Sequence, residues 1–167
     1  MEMRSRGLVD RMKGAAALDI ATYEELEADT TATAQAALVV AIVAVASAIG
    51  GAGAGAGGMI GLLISQLFGW LLWAGLTYLI GDKLLGGTAT WGELLRTLGF
   101  AQAPGVLFVL AVIPLLGWVV RVVVSIWILI AGIIAIRQAL DFSTGRAIGT
   151  ALLGWLCLTI LAFIVGW

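Results

Sequence analysis

The 167-residue chain has no histidine, one cysteine, two prolines and only 11% charged residues. Each scarcity removes a class of chemistry. Without histidine there is no serine–histidine hydrolysis, no H-E-x-x-H zinc site and no histidine-ligated haem. With Cys157 alone there is no intramolecular disulfide, and the redox compartment stays open. A formal charge of −1 argues against nucleic acid as a partner, and no dense basic run forms an anionic-lipid clamp. No Asp or Glu falls inside an expected membrane span, which removes paired-aspartate proteolysis and the usual site of cation-coupled transport. Catalysis, cofactor binding and metal binding are therefore not expected.

What is abundant is apolar surface. Hydrophobic residues make up 62% of the chain, and the 52 residues from Thr30 to Gly81 carry no charge at all. A bilayer crossing needs about 20 residues, so that stretch holds more than one. The fold class expected is all-α: a polytopic integral membrane protein with five transmembrane helices and an N-terminal amphipathic cytoplasmic helix. Residues 1–33 form the head and residues 34–167 the membrane domain, with spans over 34–50, 58–81, 104–117, 118–138 and 147–167. The third is short. Either it begins earlier and kinks at Pro104, whose missing N–H suits a first helical turn, or it pairs with the next span as a tight hairpin near Pro114.

In the head, Leu8, Met12, Ala16 and Ile20 recur every four residues beside Arg4, Arg6, Arg11 and Lys13, the pattern of a helix lying on a membrane surface. No short apolar core with a small-residue cleavage site is present, so no cleaved signal peptide is expected. Thr22 and Glu25 are spaced for a capping box, as are Thr90 and Glu93. The acids Glu24, Glu25, Glu27 and Asp29 read either as helix-terminus chemistry on a solvated surface or as a docking patch for a basic partner. Charge also sets orientation. With a cytoplasmic N-terminus and five crossings, eight of the nine Lys and Arg residues lie on the cytoplasmic side, and the C-terminus is outside.

The stretch "IGGAGAGAGGMIG" contains G-x-G-x-x-G at Gly53, Gly55 and Gly58. It is not a nucleotide loop, because the next acid, Asp82, lies beyond an apolar run long enough to cross a bilayer. It reads instead as the outer turn between the first two spans, with Gly53, Gly57 and Gly61 at the four-residue spacing of a helix-packing seam. Gln66 is a candidate for an interhelical hydrogen bond at mid-membrane, and Arg121 for snorkelling to the outer interface.

The segments "TYEELEADTTATAQAALVV", "GDKLLGGTATWGELLRTLGFAQAPGVL" and "IWILIAGIIAIRQAL", in this order, resemble bacterial members of the Yip (Ypt-interacting protein) membrane family over about residues 8–165. The resemblance implies five transmembrane helices with a cytoplasmic N-terminus, in a bacterial cytoplasmic membrane. Its eukaryotic relatives bind prenylated Rab-type GTPases, but this sequence has neither their D-L-Y-G-P nor their G-T-G-Y motif, so that function does not carry over. The family position to watch is Tyr23 to Gln35, with Tyr23, Glu24, Glu27, Asp29 and Gln35 as candidate partner contacts. The function expected is a non-enzymatic scaffold or interaction module for protein or lipid partners, one form of which is an accessory subunit of a larger membrane complex. Its expected partners are membrane lipids and another membrane protein or a second copy, with no nucleotide. The alternative is a small oligomeric channel or transporter with Arg121 and Gln66 facing its path.

Overall fold

A computed structural model describes residues 6–51 and 56–165. Among them the protein is all-α, with seven α-helices: α1 (Leu8–Ala16), α2 (Ile20–Ala28), α3 (Ala32–Gly50), α4 (Ala56–Tyr78), α5 (Trp91–Phe100), α6 (Gly117–Ala139) and α7 (Thr144–Val165). A wider π turn, Leu79–Leu84, closes α4, and a 3-10 helix, Ala103–Val112, continues α5. Four segments are long and apolar enough to cross a membrane: Ala32–Gly50, Ile60–Leu84, Trp91–Val112 and Gly117–Ala139. The fifth apolar helix, α7, has 22 residues.

The third segment differs from the expected 104–117. It starts at Trp91, where Thr90 and Glu93 form a reciprocal capping box: the Thr90 hydroxyl accepts from the Glu93 N–H (3.3 Å), and the Glu93 carboxylate accepts from the Thr90 N–H (2.7 Å). Thr90→Ala should therefore lower stability by about 1 kcal/mol, read as an earlier thermal transition in detergent. Pro104 does not begin this helix. It sits buried in the first turn of the 3-10 part, where a missing N–H is tolerated. Ten residues of α-helix and ten of 3-10 helix reach about 35 Å, more than a hydrocarbon core of about 30 Å requires.

The 3-10 geometry also explains the packing against α3. With three residues per turn, Gly105, Phe108 and Ala111 form one stripe. A Cβ at Gly105 would meet a Val43 methyl at 2.6 Å, and one at Gly50 would meet the Phe108 carbonyl oxygen at 1.9 Å and the Ala111 methyl at 3.2 Å. At the other end of the same pair, a Cβ at Gly99 would lie 2.8 Å from that of Ala36. Absence of side chain thus lets α3 and the α5/3-10 segment run parallel in close contact.

The expected seam at Gly53, Gly57 and Gly61 is corrected at Gly61, where a Cβ would meet nothing within 4 Å. Gly57 falls within the first turn of α4, and Gly53, with most of the expected glycine turn, lies outside the described residues.

Candidate functional site

The chemistry-bearing side chains gather where the head meets the bundle, at the end carrying Lys83, Arg96 and Arg137. The head is two short helices packed on the bundle, not the single continuous helix expected over residues 8–20. The chain turns at Leu18, held in the left-handed region (φ 62°). There the Leu18 N–H donates to the Ala15 carbonyl (3.1 Å) and the Asp19 N–H to that of Gly14 (3.0 Å), the double bond of a Schellman motif. This splits the expected continuous 8–20 periodicity. Leu8, Met12 and Ala16 of α1 pack against the protein's own core, and Ile20 is exposed at the start of α2. Because α2 begins at Ile20, Thr22 is inside the helix. Its hydroxyl donates to Asp19 (2.6 Å), in place of the expected Thr22–Glu25 box.

Three bundle elements hold this helical pair. The indole N–H of Trp127 on α6 donates to the Ala16 carbonyl at the end of α1 (2.8 Å). Trp127 is ten residues from Arg137, about 15 Å along the helix, so the pair reaches well into the bundle. Arg96 of α5, 5% exposed, donates to the carbonyls of Leu26 (2.8 Å) and Glu27. Both bonds satisfy carbonyls that a helix leaves free at its C-terminus, where the dipole also favours the Arg96 charge.

The third tie is Arg11, 1% exposed. Its guanidinium donates to Glu25 (3.1 and 3.0 Å), to Asp29 and to the Gln35 side-chain oxygen on α3 (3.0 Å). Arg6 pairs with the other Glu25 oxygen (3.3 Å). A buried charge is tolerated only when paired and hydrogen-bonded, and each nitrogen of this guanidinium has a partner.

The candidate partner contacts therefore divide. Tyr23 is fully buried and donates to the Ala15 carbonyl (3.1 Å); burial pushes its phenol pKa up. Asp29 and Gln35 are occupied by Arg11. Half of the basic partner expected for the acidic cluster is thus the chain's own α1. Glu24 remains exposed, accepting from Gln138 (3.3 Å), and Glu27 is half-buried. Burial raises the Glu27 pKa, helped by the charges of Glu93, Asp141 and Glu24 and opposed by Arg96. The bonds from Arg96 to the Glu27 carbonyl and from Gln138 to Glu24 bring the start of α5 and the end of α6 beside α2 and its acids. Among the described residues no group of three such side chains is arranged to hold a metal ion.

Asp29 is shifted the other way. Bonds from the Thr31 hydroxyl (2.6 Å) and then from Arg11 lower its pKa from 3.8 to about 2. A depressed carboxylate stabilises the fold above its unfolded value, and that contribution is lost as pH falls through about 2. The head should resist pepsin at pH 4 and become cleavable near pH 2, the reverse ordering being the contrary result.

The two intramembrane candidates lie apart from the head. Gln66 donates to Gln102 (2.8 Å), joining α4 to the junction of α5 and the 3-10 helix. Arg121 donates to the Gly50 carbonyl (2.9 Å), meeting the C-terminus of α3. Sequence reasoning missed Arg11 and Arg96 as structural groups. The available signal for Arg11 was its position on the buried α1 face with Leu8, Met12 and Ala15.

A bundle of long apolar helices, closed at its charged end by a pinned helical pair, defines a polytopic helical membrane protein. The family model for the Yip1 domain matches residues 21–166, and the chain belongs to that family. No curated protein and no solved structure matches closely enough to add to this.

Proposed function

We propose that the protein is a non-enzymatic interaction module or scaffold, an accessory subunit of a larger membrane complex, with five crossings of a bacterial cytoplasmic membrane and its N-terminus inside. The crossing count is supported by helix direction. Gly50 meets the 3-10 helix and Arg121 at one end of the bundle, whereas Arg146 at the start of α7 reaches the Leu85 carbonyl at the other. In this reading successive apolar segments alternate in direction, and α7 ends on the side opposite the head.

The observation that carries the reading is the Arg11 lock. It fixes the head to the bundle and leaves Glu24, Glu27, Glu93 and Asp141 on one rigid face toward the cytoplasm, suited to a basic surface on another membrane protein or a second copy. Membrane lipids are the other partners, and neither nucleotide nor nucleic acid has a site in this reading. Arg121 gives the transport alternative no support, because it is spent on the Gly50 carbonyl and does not line the bundle's cavity.

The test is gentle extraction of the tagged protein from its native membrane, with co-purifying proteins identified above a mock control. One partner should be recovered with the wild type and lost with Glu24→Lys/Asp141→Lys. A clean monomer with no partner would overturn the proposal.

A further inference from the structure

Between α3, α4, the α5/3-10 segment, α6 and α7 lies a cavity of about 630 Å³, within the range of small-ligand sites. Its lining follows one face of α4 (Ser65 to Trp73, about 12 Å) and one face of α6 (Ser125 to Ile136, about 16 Å). None of the lining residues is charged. Leu129, Leu152 and Trp155 on its rim are exposed, so it opens sideways from the bundle, toward what a membrane places there. Gly69 and Gly132 line it, and a Cβ at either would meet nothing within 4 Å.

The polar equipment is small and specific. The Gln66 amide N–H donates to the Gln102 oxygen (2.8 Å), which uses one donor and one acceptor of the pair. Among the described residues the Gln66 oxygen and the Gln102 amide N–H have no partner, although both side chains line the cavity. The pair therefore keeps a free acceptor on Gln66 and free amide donors on both residues, in an uncharged and mostly apolar space that also holds the Ser65 and Ser125 hydroxyls.

We propose that this cavity binds a single-chain neutral membrane lipid, its hydrocarbon tail along the α4 and α6 faces and an uncharged hydroxyl or carbonyl group on Gln66 and Gln102. The uncharged lining disfavours a phosphate headgroup at this depth, since nothing would offset its desolvation. A second copy's helix fits poorly: at a diameter of about 10 Å, one turn fills about 400 Å³, so the space holds less than two turns. Water fits poorly as well, because most of the wall offers it no hydrogen bond.

The experiment uses the full-length protein in nanodiscs and a monoacylglycerol bearing a diazirine on its chain, with labelled peptides mapped by mass spectrometry. Labelling should concentrate on the cavity faces of α4 and α6 and be displaced by unlabelled monoacylglycerol. It should fall at least tenfold in Gly69→Leu/Gly132→Leu, whose new side chains fill open space, and about fivefold in Gln66→Leu, the effect of one lost hydrogen bond. Failure of displacement in the wild type would overturn the proposal independently of any variant. So would unchanged labelling in a folded Gly69→Leu/Gly132→Leu protein, equal labelling of outward faces, or stronger labelling by the anionic phosphate analogue of the probe.

Discussion

Replacing Arg11 with methionine is expected to release the head from the bundle. The substitution keeps much of the side-chain volume but leaves Asp29 without its cation, Glu25 with Arg6 alone, and Gln35 without its donor. Removing one member of a buried ionic group costs about 3–5 kcal/mol. The lower end applies here, because each carboxylate keeps 22% of its surface and can recover some solvation. A loss of about 3 kcal/mol raises the open population roughly a hundredfold, and tryptic cleavage at the exposed Lys13 should rise with it. Adding Glu25→Gln and Asp29→Asn to Arg11→Met removes the uncompensated charge and should recover most of the protection. If cleavage is unchanged in Arg11→Met, the head is held by something other than this network.

Gly50→Ala is expected to destabilise the bundle by about 2–3 kcal/mol, at the upper end of overpacking. The obstacle is the Phe108 carbonyl oxygen, 1.9 Å from the new methyl, and a backbone group cannot rotate away as a side chain would. The same shift would pull the Gly50 carbonyl from Arg121. Gly61→Ala is the matched control. Its methyl enters open space on a helix, so stability should rise by about 0.5–1 kcal/mol through reduced backbone freedom in the unfolded chain. Thermal unfolding of both variants in one detergent decides the point, and equal transitions would contradict the packing described for α3 and the 3-10 helix.

These two sites also show what the sequence made legible. Apolar runs and the Thr90/Glu93 spacing disclosed the helical class and the start of α5, because hydrophobicity and capping are local properties. The breaks were harder to read. α1 and α6 both end in Schellman turns whose left-handed residues are Leu18 and Asp141, and neither carries the glycine that usually marks such a stop. The glycines that matter for close approach, Gly50, Gly99 and Gly105, are isolated in sequence. The conspicuous run attracted attention through its spacing alone, which cannot say what stands opposite. Arg11 was hidden for the same reason. A cation beside other cations reads as a membrane-facing charge until the fold brings α2's acids and Gln35 around it.

The docked head is the premise on which the inner face, its four acids and the interaction reading all rest. Its direct test is cross-linking of Glu24→Cys to Gln138→Cys, whose native side chains meet at their tips (3.3 Å), with a short bifunctional thiol reagent that spans the place of both side chains, in a Cys157→Ser background and in intact membranes. The account predicts near-complete cross-linking within one chain, and its loss when Arg11→Met is added. Free thiols, or a bond formed only between chains, would contradict it.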